Sequence, residues 1–273
     1  MSLGERWDPD APPRLAFGTW GLTDGCAGTV SHALEAGYRH IDTAQSYGTE
    51  AEVGEALRRT KLSRGQVYLT TKLDRWSMRQ PAMKRSMEES LRKLQTDYVD
   101  LLLIHWPSRE VPLPETIEGM QELVDRGWVR QIGVSNFTSQ QLHQACELAP
   151  IACTQVEYDP YLRQPALLCA AAQMATPLFA YSPIARGRAA VDPLLEGIGA
   201  RYGRTASQVA LRWILQQEGV GAVVRSSNVA RITENMRVFD FALTQAEMEA
   251  ISSLSCGYRL VNPVDAPRWD HVV

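Results

Sequence analysis

Four side chains in the first part of the chain have the types that acid–base chemistry needs: Asp42, Tyr47, Lys72 and His105. Asp42 and Tyr47 fall in one stretch, residues 38–50, which begins as a β-branched and aromatic run and ends in a polar loop with Gly48. Lys72 closes the run Val67-Tyr-Leu-Thr-Thr-Lys72, and His105 closes Tyr98-Val-Asp-Leu-Leu-Leu-Ile-His105. An ionisable group at the end of an apolar strand is costly to bury unless paired, so Lys72 against Asp42 is the natural arrangement. An ammonium beside a phenol stabilises the phenolate and lowers the tyrosine pKa from its ordinary value of about 10. In this reading Asp42 holds Lys72 charged and in place, and His105 donates a hydrogen bond to a substrate oxygen beside the Tyr47 hydroxyl. A carbonyl becoming an alkoxide needs such a proton donor and electrostatic cradle. No side chain donates hydride, so a nicotinamide cofactor is implied. With no H-x-x-x-H and no Cys/His cluster, no metal site is expected.

These residues need a scaffold that brings the ends of separate strands to one face. Strand-like runs are expected at 14–20, from 38, and at 67–72, 98–105, 130–135, 152–158, 178–181 and 221–225. Helical patterns alternate with them. Val30, Ala33 and Leu34 share one face before Gly37, Val53, Ala56 and Leu57 another, and Met83, Met87, Leu91 and Leu94 form a stripe read as core packing. Ile117, Met120, Leu123 and Val124 precede Gly127, residues 166–174 form the sixth helix, and Val209, Leu211, Trp213 and Ile214 mark a further strong one. Capping boxes are expected at Thr49/Glu52, Thr138/Gln141, Thr205/Gln208 and Thr244/Glu247, with Asn228 capping a short helix. Eight strand–helix alternations close a parallel sheet into a single-domain (β/α)8 TIM barrel, whose active site lies at the C-terminal ends of its strands. An open doubly wound sheet is disfavoured because no G-x-G-x-x-G follows the first strand. Residues 1–13 read as a loose arm, and 14–273 as the barrel with a tail from Cys256 folding over the active face.

Composition agrees. The 273 residues match the ~250 that such a barrel uses, with 45% apolar and 22% charged residues. A net charge of −3 without a basic block argues against nucleic acid. No apolar run approaches the ~20 residues of a membrane span. The first residues lack a signal-peptide core, so a cytoplasmic protein is expected. The five scattered cysteines read as reduced, mostly buried thiols. No heptad or exposed apolar stripe stands out, and a monomer is expected.

On several motifs the chain resembles the aldo-keto reductase superfamily. They are Asp42-Thr-Ala-x-x-Tyr47, Thr71-Lys72, Leu103-Ile-His-Trp-Pro107, Ile132-Gly-Val-Ser-Asn-Phe137, Gln155-Val-Glu-Tyr, Ala180-Tyr-Ser-Pro183 and Arg225-Ser-x-x-x-x-Arg231-x-x-Glu234-Asn235. The resemblance implies a catalytic tetrad of Asp42, Tyr47, Lys72 and His105 with Tyr47 as general acid. It implies that Ser135, Asn136 and Gln155 hold the nicotinamide carboxamide and that Tyr181 stacks on the ring. Thr19 and Trp20 join the cofactor site, and the backbone from Ser182 through Pro183 and Ile184 to Gly187 meets the pyrophosphate. Arg225, Ser226, Ser227, Asn228 and Arg231 would grip a 2′-phosphate, and Glu234 and Asn235 the adenine, so NADPH is expected over NADH. Two positions depart: Arg225 stands where the family usually has Lys, and Thr154 where it has Asn before the glutamine. The stretches 96–108 and 259–270 are most similar to the compact bacterial subgroup of the 2,5-diketo-D-gluconate reductase B type, which includes methylglyoxal reductases. The expected substrate is a small-molecule carbonyl, a dicarbonyl or keto-sugar acid. Trp20, Trp76, Trp106 and Trp269 are expected around it, with Arg75, Arg186 and Arg188 as candidates for a substrate carboxylate. The alternative is a nucleotide-binding redox sensor or regulatory subunit with little turnover.

Overall fold

The computed structural model describes residues 11–270, so most of the arm expected at 1–13 lies outside the described residues. Eight strands follow in order: β1 (Leu15–Gly18), β2 (His40–Asp42), β3 (Tyr68–Leu73), β4 (Val99–Ile104), β5 (Val129–Ser135), β6 (Thr154–Glu157), β7 (Leu178–Tyr181) and β8 (Val220–Val224). Each pairs in parallel with the next, and β8 returns to β1 through Leu15 opposite Ala222, closing the barrel. Around it lie α1 (Cys26–Glu35), α2 (Glu50–Arg59), α3 (Ala82–Leu94), α4 (Leu113–Asp125), α5 (Ser139–Leu148), α6 (Pro165–Gln173), α7 (Pro193–Tyr202), α8 (Ala206–Leu215), α9 (Val229–Asn235) and α10 (Gln245–Ser252).

Side chains alternate across a strand, so each strand serves two environments. Phe17, Ile41, Leu69, Leu102, Ile104, Val134, Val156 and Val224 join the apolar faces of the helices in one core. Their neighbours Ala16, Tyr68, Leu101, Leu103, Cys153, Phe179 and Val223 form a separate cluster inside the barrel. Gly221 makes room there, because a Cβ at that position would sit 2.5 Å from the Phe179 ring. The same inward alternation, carried to the C-terminal strand ends, reaches Asp42, Lys72, His105, Ser135, Gln155, Tyr181 and Arg225. Periodicity alone therefore collects the candidate chemistry on one rim.

Three capping boxes close as expected, at Thr138/Gln141, Thr205/Gln208 and Thr244/Glu247, and the Asn228 side chain accepts from Arg231 N at 3.1 Å. The box at Thr49 does not form. Its hydroxyl lies 3.0 Å from those of both Thr19 and Thr43, and Glu52 instead accepts from Ala27 N at 3.0 Å. Helix α7 is an element the sequence pattern did not bring out; Asp192 caps it by accepting from Leu194 N at 3.0 Å, and Gly203 ends it in the left-handed region. The thiols also differ from expectation. Cys26 and Cys153 are buried, Cys146 is half-buried, and Cys169 and Cys256 are exposed, because the last two lie on an outer helix and in the tail.

Candidate active site

A network of side-chain hydrogen bonds ties down the loop after β2. Thr19, Thr43 and Thr49 share a buried triangle of hydroxyl contacts, all between 2.9 and 3.0 Å. Gln45 reaches the hydroxyl of Ser90 at 3.1 Å and accepts from Asp74 N at 2.9 Å, tying the loop to α3 and to the turn after β3. Tyr47 ends a single 3-10 turn, with its N–H donating to Ala44 O at 3.1 Å.

Behind Tyr47, the fully buried Lys72 Nζ lies 2.5 Å from Asp42 Oδ1 and donates to Thr43 O at 2.9 Å. Asp42 Oδ2 accepts from Gln155 Nε2 at 2.8 Å, so both carboxylate oxygens are engaged. Lys72 Nζ also lies 4.9 Å from the centre of the Tyr47 ring. Burial alone would push the ammonium down, but the charges of Asp42 and Tyr47 hold it above the ordinary lysine value. The expected lowering of the Tyr47 pKa is overturned. Burial raises it, the Lys72 ammonium pulls it back by less, and Asp42 adds to the rise. His105, its ring edge-on to Tyr47 with centroids 5.6 Å apart, is pushed down to about 3 by burial, with the charges of Lys72 and Arg75 adding. Near neutrality the pocket floor thus presents a protonated phenol and a neutral imidazole, backed by a charged ammonium. His105 Nδ1 lies 3.4 Å from Ser46 Oγ.

These groups open into one cavity of about 660 Å³. Asn136, in the left-handed region at φ 63°, joins its walls. Its side chain donates to His105 O at 2.9 Å and to Ser135 Oγ at 3.1 Å, and accepts from Tyr181 OH at 2.7 Å. Burial also raises the Tyr181 phenol, which keeps that donor protonated. Beyond Tyr181 the wall is Ser182, Pro183, Ile184 and Gly187, in a loop where Ser182, Ala185, Arg186 and Gly187 all have positive φ. Where right- and left-handed residues adjoin in a turn, successive backbone N–H groups can point to one side and make an anion-binding concavity. Arg225, Ser226, Ser227, Asn228 and Arg231 also line the cavity. Arg225 donates to Trp20 O at 3.0 Å and to Gly21 O at 2.9 Å, and the Arg186 guanidinium lies 5.4 Å from the centre of the Trp20 ring. The cavity wall thus combines the phenols of Tyr47 and Tyr181 with Arg186, Arg225 and Arg231, whose guanidinium groups could pair with phosphate.

Several expected residues stand elsewhere. Thr19 is fully buried in the hydroxyl triangle, and Lys72 is buried beside Asp42 without lining the cavity. Trp20 and Trp106 line the cavity, whereas Trp76 is 78% exposed, on a turn that the Asp74 carboxylate caps. Trp269 packs edge-on against Trp106, centroids 6.1 Å apart, outside the cavity lining. Glu234 and Asn235 lie on α9 away from the lining, Asn235 being buried beside Tyr38. Arg75 pairs with Asp265 and Arg188 covers the Tyr161 ring, so neither is an uncommitted partner for a substrate carboxylate. Ser46 and Val261 line the cavity without having been singled out. The spacing of Ser46 directly before Tyr47 was available as a signal, but nothing local announces Val261.

The chain is similar to known proteins over most of its length. The model of the Aldo/keto reductase family matches residues 14–255. An aldo-keto reductase from Mycobacterium avium (strain 104) is 43% identical over 92% of this chain and 88% of its own length. The methylglyoxal reductase DkgB of Escherichia coli O157:H7 is 37% identical over 95% of this chain and 100% of its own length. A crystal structure provisionally assigned as a 2,5-diketo-D-gluconic acid reductase B superposes with a TM-score of 0.93 at 46% identity, covering 95% of this chain and 94% of that one.

Proposed function

The chain belongs to the aldo/keto reductase family, and on that premise we propose that it reduces small aldehydes and ketones to alcohols with NADPH, Tyr47 delivering the proton. The observation that carries the reading is the floor of the cleft. There the Tyr47 ring lies edge-on to His105 and 4.9 Å from the Nζ of Lys72, which is buried in its ion pair with Asp42. When bound, a reduced nicotinamide supplies the hydride. Ser135, Asn136 and Gln155 would hold its carboxamide, and Tyr181, anchored on Asn136, would pack against its ring. Arg231, with Arg225 beside it, would pair with a 2′-phosphate, because guanidinium groups bind phosphate bidentately.

As the substrate oxygen gains charge, Tyr47 gives up its proton to it and His105 donates a hydrogen bond to the same oxygen. Lys72 stabilises the phenolate left behind, and Asp42 keeps Lys72 placed and charged. The raised pKa of free Tyr47 keeps the acid loaded near neutrality. The names of the relatives point to methylglyoxal and 2,5-diketo-D-gluconate as the first substrates to try. The aromatic walls of Trp20 and Trp106 suit compact carbonyls of that kind.

The test is oxidation of NADPH and NADH with both carbonyls by the wild type and by Tyr47→Phe. Removing the hydroxyl should lower kcat by about 100-fold or more while nucleotide affinity is retained. Turnover that survives the loss of the hydroxyl refutes the assigned acid. Tight nucleotide binding with no turnover on a broad carbonyl panel would favour a sensor instead.

A further inference from the structure

Glu157 is the last residue of β6 and fully buried, yet it takes no part in the chemistry proposed above. Its two carboxylate oxygens accept from two consecutive backbone N–H groups of the tail, Leu260 N at 2.7 Å and Val261 N at 2.9 Å. Those residues belong to no regular element, so no helix or sheet ladder fixes their position. The surrounding contacts reinforce the grip. Gln164 donates to the backbone carbonyl of Glu157, and its own carbonyl accepts from Arg259 Nη2 at 3.3 Å. The Arg259 guanidinium lies 3.7 Å from the centre of the Trp269 ring, which in turn packs against Trp106. Val261 and Trp106 both line the catalytic cavity. The tail is therefore coupled to two walls of the pocket, to Val261 through the Glu157 carboxylate and to Trp106 through the Glu157 backbone carbonyl, Gln164, Arg259 and Trp269.

We propose that Glu157 is a specificity-determining positioning residue: by clamping Leu260 N and Val261 N it sets how far the tail closes the carbonyl pocket. The assignment rests on the carbonyl-reductase reading. A buried carboxylate is stable only when its lone pairs are met, and here consecutive tail amides meet them. The dependence runs both ways: without the carboxylate the two amides lose their acceptors, and Val261 loses what holds it against the cavity. Glutamine at this position keeps one acceptor oxygen and sets an NH2 group against an N–H. Alanine keeps none. A graded series follows, wild type, Glu157→Gln, Glu157→Ala.

The experiment combines amide hydrogen exchange, nucleotide affinity by fluorescence, and kinetics with methylglyoxal and the bulkier phenylglyoxal. In the wild type the Leu260 and Val261 amides should exchange slowly, and their exchange should quicken along the series. As Val261 withdraws, the ratio of kcat/KM should shift about tenfold toward phenylglyoxal, a change that general loss of stability does not produce. The Kd for NADPH should stay within about twofold of wild type, since the clamp does not touch the nucleotide end of the cleft. Fast exchange at both amides in the wild type, or an unshifted ratio once they are released, would overturn the proposal. So would a loss of NADPH affinity in step with the kinetic change, because Glu157 would then act through Tyr181, its cross-strand neighbour. Should the Glu157 variants not fold, Asp270→Ala frees the far end of the same tail from Ser139 and must shift the ratio in the same sense. A wild type that reduces neither carbonyl refutes the reductase reading, while the exchange data still judge the clamp.

Discussion

Burial sets the protonation of the groups at the pocket floor, and it does so even where charges oppose it. Tyr47 is the clearest case: Lys72 pulls its pKa down, as the residue types suggested, but removal from water raises it further. The pairing of Lys72 with Asp42 was legible because an ammonium inside a barrel has to have a counter-charge. The direction of the Tyr47 shift was not, since burial is a property of the fold and not of the motif. His105 supports a prediction with a definite sign. Its folded pKa of about 3 lies well below the ordinary value of about 6.5. Between those values the unfolded chain takes up a proton that the folded chain refuses, so stability falls as pH falls through that window. His40, buried between Pro13 O and Thr70 Oγ1 and also lowered, works in the same sense. Asp159, raised to about 7, works oppositely, its share being lost as pH rises toward 7, so the comparison has to be between variants. Urea midpoints measured at pH 7, 5 and 4 should decline less steeply for His105→Gln than for the wild type. Equal slopes would mean that the imidazole is not held neutral by the fold.

Among elements, what was legible depended on how local the determining contact is. The boxes at Thr138, Thr205 and Thr244 need only residues three apart, and they form. Thr49 has the same spacing but sits beside Thr43 of its own loop and Thr19 after the adjacent strand β1, and those partners take its hydroxyl. Helix α7 carried an Asp-Pro start and a Gly stop, yet its buried residues Leu195, Ile198 and Gly199 make a weak apolar stripe. Helix packing makes the same substitution act with opposite signs at two sites. Gly28, on the exposed side of α1, has nothing within 4 Å of a built Cβ. Gly28→Ala should therefore stabilise by up to ~1 kcal/mol through helix propensity. Gly54 in α2 lies against the end of α3, where a Cβ would come within 2.7 Å of the Leu94 carbonyl carbon. Gly54→Ala should destabilise by about 1–3 kcal/mol despite the better propensity, because backbone atoms cannot turn aside as a side chain can. Thermal midpoints moving in opposite directions would confirm that α2 and α3 touch backbone to backbone; two upward shifts would refute it.

On the scale of the whole molecule, the barrel was legible and the tail was not, for one physical reason. Eight short runs, mostly apolar and buried on both faces, alternate with helical patterns, and parallel closure follows from that alternation, so many residues state the same thing. The pose of the tail rests instead on single contacts without periodicity: Glu157 to two amides, Asp265 to Arg75, and Asp270 to Ser139. The cleft draws its lining from seven strand ends or the loops after them, so a ligand that fills it contacts nearly the full rim. A nucleotide that binds only the folded chain should raise its stability by ~2.7 kcal/mol at a hundredfold excess over Kd. For a chain of this length that is a rise of about 5–10 °C in Tm. The arginine end should decide how the two nucleotides differ. Arg225 already donates to Trp20 O and Gly21 O, whereas Arg231 lines the cavity with no carboxylate partner among the described residues. Arg231→Ala should therefore reduce the Tm rise with NADPH to nearly that with NADH and leave the NADH rise unchanged, since only NADPH carries the 2′-phosphate. An equal loss with both nucleotides would mean that Arg231 reads a group they share, and the preference for NADPH would have to originate elsewhere on the rim.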